Sequence, residues 1–271
     1  MNSTLTENIL KFYQANKRDL PWRENRDPYR VWLSEIILQQ TRIAQGTPYF
    51  LKFIDKYPSV DALAEAKEDE VLRMWQGLGY YSRARNMLKC ARIIADQHKG
   101  KFPTRALELE KLPGIGKYTA AAIASICFEE AIAVVDGNVI RVITRLFAFQ
   151  EAADSSRGLK SIQDLANSIV SKEFPGQFNQ GMMELGSLIC TPKKPACNQC
   201  VVQEFCQARE LGITDKLPLK KGKAKSRERF FNYLCGRDKN GKLWIQQRTK
   251  EKDIWYKMYE FPMVETKGTL H

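Results

Sequence analysis

The chain has no hydrophobic run long enough to cross a membrane, and its first residues lack the charged and apolar regions of a signal peptide. We therefore expect a cytoplasmic protein of the bacterial type with no membrane partner. Internal repeats and low-complexity segments are missing too. Before about residue 229 no alternation of apolar and polar residues predicts a β-strand, so the first part of the chain is predicted to be all-α.

Acidic residues are in the minority: 31 Asp and Glu face 43 Lys and Arg, which gives a net charge of +12. This excess favours a polyanionic partner, nucleic acid first, although a merely soluble protein or one that binds acidic membranes can have the same balance. The 271 residues, 44% of them hydrophobic, suffice for two domains with cores of their own. Helical spacing of apolar residues predicts helices over residues 5–15, 29–40, 43–57, 60–65, 69–75, 83–98 and 117–127.

A turn rich in glycine, residues 112–116, precedes the last of these helices. Pro113, Gly114 and Gly116 interrupt the helical pattern, and small apolar residues after Lys117 permit close packing when it resumes. This pattern is typical of a helix-hairpin-helix, whose second helix directs free backbone N–H groups toward a phosphate. The turn alone fits an ordinary corner between two helices equally well.

Two carboxylates stand in unusual surroundings. Asp136 precedes an apolar-periodic run at residues 139–147 and is predicted to cap a helix, beside an apolar wall and without a neighbouring cation. An anion there would repel a DNA backbone but would stabilise positive charge that develops in a reaction. Glu35 lies in a helix that is apolar on nearly every side, and desolvation should raise its pKa until it holds a proton near neutral pH. The alternatives are a helix cap and a structural hydrogen bond, and we favour the functional interpretation.

Three other segments are candidates for contact with nucleic acid. Each also has a structural interpretation: the first can be a loop pinned by a buried Trp, the second a solvated helix end, and the third an aromatic corner between two helices. The candidates are Arg18, Trp22 and Arg23 in a basic and aromatic link, Gln39, Gln40 and Thr41 at a helix end, and Tyr80 in the turn at residues 77–81, which basic residues suited to phosphate contact follow. Amides and aromatics of this kind can fill the gap left by a displaced base.

Four of the seven cysteines, Cys190, Cys197, Cys200 and Cys206, form one compact loop with the spacing C-x6-C-x2-C-x5-C. Free thiols have no other reason to gather in a reducing compartment, so the loop predicts a bound metal centre. Zinc and a [4Fe–4S] cluster both accept four cysteines, and the single unbroken run of uneven gaps favours the cluster. The remaining cysteines, Cys90, Cys127 and Cys235, are predicted to be small buried apolar residues.

The end of the chain differs in pattern. A basic stretch at residues 214–229 is predicted to be an exposed linker, either a DNA-attracting segment or a solvated tether. Residues 230–235 and 242–248 alternate like two strands, and the turn at residues 238–241 predicts that they form a hairpin.

Together these segments resemble the adenine DNA glycosylases of the MutY type, in the helix-hairpin-helix superfamily that includes endonuclease III. The resemblance covers about residues 5–210 and rests on residues 18–23, 33–41, 77–81, 112–120, 135–139, 178–186 and the cysteine loop. It implies a mostly α catalytic region at residues 1–213, with a six-helix module at about 24–130 and a cluster subdomain from 1–23 and 131–213. The resemblance also implies a linker at 214–229 and a partial Nudix-like domain at 230–271. This last region lacks the pattern of spaced glutamates that catalytic Nudix domains have.

The resemblance also implies a reaction. The expected substrate is double-stranded DNA with adenine opposite 8-oxoguanine or guanine, and the products are free adenine and an abasic site. Glu35 is the candidate general acid and base, and Asp136 the candidate anion beneath an oxocarbenium-like sugar. The resemblance assigns supporting roles as follows: Tyr118 and Asn138 at the intermediate, Arg18 and Glu184 at the base, Gln40 and Tyr80 in the gap, and Gly114, Gly116 and Lys117 at phosphate. The protein is expected to be a monomer associated with the nucleoid through DNA.

One position separates two branches of the superfamily. In members that also act as lyases a lysine follows the second hairpin glycine by two residues, and that place is Tyr118 here. Tyrosine cannot form the imine, so a monofunctional, hydrolytic glycosylase is expected. Two alternatives remain: an endonuclease III-like glycosylase for damaged pyrimidines, and a non-catalytic iron–sulfur DNA-binding protein.

Overall fold

The computed structural model describes residues 2–222, 228–250 and 253–268, which belong to two units, Met1–Lys221 and Gly222–His271. Residues 214–221 of the predicted linker belong to the first unit, and residues 223–227 lie outside the described part of the chain. No helix within the described ranges is long and apolar enough to span a bilayer.

The first unit is helical, as predicted. Its helices are α1 (Asn2–Asn16), α2 (Pro28–Leu38), α3 (Ile43–Lys56), α4 (Val60–Ala64), α5 (Glu68–Met74), α6 (Ser82–His98), α7 (Ala106–Leu109), α8 (Lys117–Phe128), α9 (Gly137–Leu146), α10 (Ser156–Ile169), α11 (Pro175–Leu188) and α12 (Gln207–Glu210). Single 3-10 turns lie at Pro21–Arg23, Cys197–Gln199 and Gln203–Phe205. The residues at a helix start explain where it begins, as α2 shows. Asp27 caps α2 by accepting a hydrogen bond from Tyr29 N, and Pro28 is the first residue of the helix.

Two large hydrophobic cores, and a small cluster of Ala121, Ala122 and Val134, hold this unit together. The first contains Trp32 of α2, Phe53 of α3 and Trp75, with α6 and α8 packed around them. The second joins α1, α9, α10 and α11 through residues such as Ile143 and Phe178. Helices α8 and α11 contact each other, so the two cores adjoin along the second helix of the hairpin.

The second unit contains short antiparallel strands. β1 (Phe230–Tyr233) pairs with β4 (Met263–Thr266), and β2 (Gln246–Gln247) pairs with β3 (Tyr259–Glu260). The predicted turn forms, since Gly241 N donates to Asp238 O, and a short hairpin continues from it through the bridge between Arg237 and Leu243 and the bond from Trp244 N to Gly236 O. Among the described residues this hairpin does not reach β1. The predicted pairing of residues 230–235 with 242–248 is therefore wrong, because alternation identifies a strand but not its partner. Burial of Cys235 is also wrong: its side chain is exposed.

Candidate active site

The hairpin turn leaves the start of α8 uncovered. Gly114 has a φ of +78°, which only glycine adopts without strain, and a Cβ there would lie 2.9 Å from Asn86 Cβ. Gly116 precedes the first residue of α8, and no side chain caps the helix. No atom lies within 4 Å of the Cβ position of Gly116. The first N–H groups of α8 are thus open to a phosphate, next to Lys117.

Glu35 lies on α2 between fully buried neighbours, and the residue itself is only partly exposed. Burial raises the pKa of its carboxyl to about 7. The hydroxyl of Tyr118 and the charge of Arg23 oppose this rise by stabilising the carboxylate, and the charge of Asp136 adds to it. At neutral pH Glu35 is therefore divided between a proton donor and a carboxylate.

Asp136 caps α9, as predicted, and both of its oxygens are held. Oδ1 accepts a hydrogen bond of 2.7 Å from Val139 N, and Oδ2 accepts one of 2.8 Å from Asn138 Nδ2. Asn138 Oδ1 in turn accepts from Arg141 Nη2 at 3.0 Å, and Arg141 Nε donates to Cys190 O at 2.6 Å. Hydrogen bonds therefore connect the carboxylate with the backbone of the first cysteine of the metal loop.

Tyr118, in the first turn of α8, forms a hydrogen bond with Glu35 and lies within range of the charge of Asp136. Burial and the charges of Glu35 and Asp136 raise the pKa of its hydroxyl, which stays protonated. The hydroxyl also lies 3.7 Å from Met183 Sδ on α11. The fold thus brings together Glu35, Tyr118 and Asp136 from three different helices, and leaves a neutral donor beside an acid and within range of an anion.

A buried ion cluster forms behind this group. Glu184 is fully buried on α11, and its carboxylate accepts hydrogen bonds from Arg18 Nε at 3.0 Å and Arg23 Nη1 at 2.8 Å. Trp22 is a core residue whose ring meets the edge of Phe50, with centroids 5.3 Å apart. The segment at residues 18–23 therefore contains a buried Trp, as its interpretation as a structural loop requires. Its two arginines, Arg18 and Arg23, both bind the Glu184 carboxylate.

Gln40 and Tyr80 occupy two adjoining turns. Both have left-handed backbone, with φ of +57° and +45°, and the Tyr80 side chain is 66% exposed. Arg83 joins the turns: Nη1 donates to Ile36 O and Ile37 O at the end of α2 and to Gln39 O, and Nη2 donates to Leu78 O at 3.0 Å.

This inward orientation of Arg83 differs from the predicted phosphate contact, because both of its terminal nitrogens, Nη1 and Nη2, donate to carbonyls. Its guanidinium also lies over the Tyr80 ring, 5.9 Å from the centroid. Gln39 and Thr41 flank the turn, and Thr41 Oγ1 donates to Gln39 O at 3.4 Å.

The four cysteines of the loop line one cavity, together with Ile189, Pro195 and Arg145. Burial raises the pKa of Cys200 to about 11, and the charges of the other cysteines in the loop add to the rise. In the described ranges no three His, Cys, Asp or Glu side chains are grouped to hold one metal ion. Four cysteine side chains that line one cavity fit a group held by four thiolates, such as a [4Fe–4S] cluster.

Two arginines of this region were missed from sequence. Arg145 is 2% exposed, and its Nη1 lies 3.3 Å from Cys190 Sγ and 2.8 Å from Thr191 O. Arg141 is almost as buried and reaches the loop as described above. Two arginines four residues apart within the apolar run of α9 are the signal that could have revealed them, since buried arginines need several acceptors.

Comparison with known proteins agrees with this geometry. The family model of the HhH-GPD superfamily of base excision DNA repair proteins matches residues 33–168, and the model of the iron–sulfur binding domain of endonuclease III matches residues 190–206. The second match includes all four cysteines of the loop. The cofactor of the chain is therefore a [4Fe–4S] cluster.

Curated relatives carry the name adenine DNA glycosylase. One from Buchnera aphidicola subsp. Schizaphis graminum is 38% identical over 260 residues, which are 96% of this chain and 74% of the relative. One from Rattus norvegicus is 44% identical over 212 residues, or 75% of this chain and 41% of that protein. The chain thus spans most of the Buchnera protein but less than half of the rat protein.

Solved structures share the helical fold. A thermostable thymine-DNA glycosylase aligns with a TM-score of 0.70 at 30% identity, covering 78% of this chain and 97% of that one. Endonuclease III in a non-covalent DNA complex aligns with a TM-score of 0.64 at 21% identity, covering 79% and 98%. The second likeness concerns the fold alone.

Proposed function

Since the chain belongs to the HhH-GPD superfamily of base excision DNA repair proteins, and within it to the adenine DNA glycosylases, we propose that it excises adenine paired with 8-oxoguanine or guanine. One observation carries the proposal: a carboxyl with a pKa of about 7, Glu35, shares a site with the held anion Asp136. A proton donor and a fixed anion are the two groups that cleavage of an N-glycosidic bond needs.

In this mechanism Glu35 supplies the first proton. Adenine leaves poorly as an anion, so Glu35 transfers its proton to a ring nitrogen as the bond between the sugar and the base breaks, and neutral adenine departs. Such a transfer contributes on the order of 10²–10⁴ in rate. The Glu35 carboxylate then accepts a proton from the water that adds to the sugar, which restores the acid.

Asp136 acts on the sugar. As the bond breaks, C1′ of the deoxyribose becomes oxocarbenium-like, and the negative charge of Asp136 stabilises it. The hydrogen bonds from Val139 N and Asn138 Nδ2 keep the carboxylate in place, so that no reorientation is needed during the reaction. Asn138 thus supports the intermediate through Asp136, and Tyr118 does so as a protonated donor beside Glu35.

Other residues handle the DNA. The open N–H groups after Gly114 and Gly116, with Lys117, bind a phosphate. The adenine is flipped out of the duplex, and Gln40 and Tyr80 enter the space that it leaves. The target base is read near Glu184, whose charge is balanced by Arg18 and Arg23. We propose a monomer, since all of these groups come from one chain.

Cys190, Cys197, Cys200 and Cys206 would hold the cluster. When bound, it links the four cysteines covalently and so fixes residues 190–206, whose first carbonyl accepts a hydrogen bond from Arg141.

The test is a single-turnover assay on duplexes with adenine opposite 8-oxoguanine, guanine or thymine, followed by alkali to cut abasic sites. We expect cleavage of the adenine strand that is lost in Glu35→Gln and kept in Glu65→Gln, a matched change of an exposed glutamate. Equal rates with all three opposing bases would contradict the proposed substrate. Lost DNA binding in Glu35→Gln would mean that the residue acts in binding rather than in proton transfer.

A borohydride assay distinguishes the remaining alternatives. Because Tyr118 occupies the place of the lyase lysine, no covalent protein–DNA adduct is expected. A trapped adduct would instead favour a bifunctional enzyme of the endonuclease III kind. Binding of DNA with no release of adenine by cluster-loaded protein would favour the non-catalytic alternative.

A further inference from the structure

The segment that leads to Asp136 is irregular, and side chains rather than a neighbouring strand bind its backbone. Residues 129–136 connect α8 with α9 and have no regular secondary structure. Side chains bind consecutive backbone groups of this segment instead: Ile132 O, Ala133 N, Ala133 O and Val134 N each contact an amide side chain. A buried backbone needs such partners, so these side chains determine where the segment lies.

Asn179 of α11 provides the buried part of this support. Its Oδ1 accepts a hydrogen bond of 3.0 Å from Val134 N, and its Nδ2 donates to Ile132 O at 2.8 Å and to Ser125 Oγ at 3.0 Å. The residue is 1% exposed, so water cannot replace it. One amide therefore ties the segment, two residues before Asp136, to both α8 and α11.

Asn179 belongs to the face of α11 that packs against α8 and the start of α9. Residues 176, 179, 183 and 186 recur at helical spacing and so lie on one side of the helix. A Cβ on Gly176 would lie 2.7 Å from Ser125 O, and one on Gly186 would lie 2.7 Å from Asn138 Cβ. The two glycines therefore let this face approach α8 and the start of α9 closely, and Asn179 is the residue of the face whose side chain binds the segment at residues 129–136.

We propose that Asn179 is a positioning residue for the reaction, because its three hydrogen bonds fix the segment at residues 129–136 and thereby the carboxylate of Asp136 beneath the sugar. The inference rests on the proposed function for the role of Asp136 but not for the hydrogen bonds themselves. Loss of these bonds leaves Val134 N and Ile132 O buried without partners, and the segment must shift or loosen to solvate them.

Asn179→Leu tests the proposal, because it keeps the approximate volume and removes every hydrogen bond of the side chain. We expect faster amide exchange over residues 130–137 and a single-turnover rate lower by on the order of 10–10². We also expect reduced preference for a duplex containing a cationic pyrrolidine over one containing neutral tetrahydrofuran, since that preference reports the anion beneath the sugar. Asn179→Ser, which leaves room for water, should give smaller changes of the same kind.

Two control variants separate positioning from stability. Leu63→Ala empties space in α4, in the first core, and should lower thermal stability while leaving the analogue preference unchanged. Asn167→Leu removes the bond of 2.9 Å to Ala133 N from an exposed position, where water can substitute, and should change the rate little.

Exchange over residues 130–137 that stays as slow in Asn179→Leu as in the wild type would overturn the proposal. So would faster exchange with an unchanged rate and analogue preference. If the wild-type protein releases no adenine, the proposed function fails, whereas the exchange measurement still decides whether Asn179 holds the segment.

Discussion

The pH dependence of adenine release follows from the pKa of Glu35. Burial raises that pKa to about 7, and the reaction needs the protonated form. At low substrate concentration, where the rate reports the free enzyme, it should be level below pH 7 and fall about tenfold for each pH unit above it. In Glu35→Gln the residual rate should be lower by on the order of 10²–10⁴ and independent of pH in this range.

The same group makes stability depend on pH. The folded-state pKa of Glu35 lies above the ordinary value of 4.5, so the neutral carboxyl favours the folded protein. This contribution is complete below pH 4.5 and is lost as the pH rises through 7. A rise of that size corresponds to about 3 kcal/mol. The difference in free energy of unfolding between wild type and Glu35→Gln should therefore move by about 2.5 kcal/mol in favour of the variant between pH 5 and pH 8.

Both quantities are measured directly, the first by quenched single-turnover assays and the second by denaturant unfolding of the two proteins in the same buffers. Comparison with the variant cancels the titration of all other groups. Two results would refute the assignment of Glu35 as the acid. One is a wild-type rate that stays level up to pH 8.5, and the other is a difference in unfolding free energy between the two proteins that does not change with pH.

Three further substitutions test other parts of the site. Arg83→Ala removes the donors that join the turns of Gln40 and Tyr80; we expect a loss of about 2 kcal/mol in unfolding free energy and a weaker fluorescence change when 2-aminopurine replaces the target adenine. An undiminished fluorescence change would contradict this. Cys200→Ser should abolish the visible absorption of the iron–sulfur cluster while the far-UV circular dichroism stays helical, and full absorption would show that Cys200 is not a ligand. Gly114→Ala forces a left-handed residue toward Asn86 and should weaken binding to matched and mismatched duplexes alike, because phosphate contacts do not read sequence; a selective loss would contradict it.

Local sequence patterns were sufficient to predict those elements whose structure depends on residues close together in the chain. Helical spacing predicted α3 and α6 to within a residue or two, because each helix buries one apolar stripe along its own length. The place of Asp136 before an apolar run predicted its cap on α9. Cysteine spacing predicted the iron–sulfur loop, since all four ligands lie in one short stretch.

Partners distant in sequence depended on the tertiary structure. The raised pKa of Glu35 was predicted in direction from its own helix, but its contacts with Tyr118 and Asp136 exist only because α2, α8 and α9 converge. Likewise β1 pairs with β4 rather than with the next segment, since several edges offer the same backbone groups and packing selects among them.

The sequence by itself therefore determined most helices up to α9, the hairpin turn, the cap and the metal loop, because these depend on residues within a turn or two of one another. It did not predict α7, α10, α11 or α12. Only the tertiary structure decided that Arg83 joins two turns, that Asn179 supports the segment before Asp136, and that Glu184 balances two arginines. Each of these is a buried polar side chain whose partners lie far away along the chain. Its role is set by which carbonyls, amides and charges the packed helices leave within hydrogen-bonding distance.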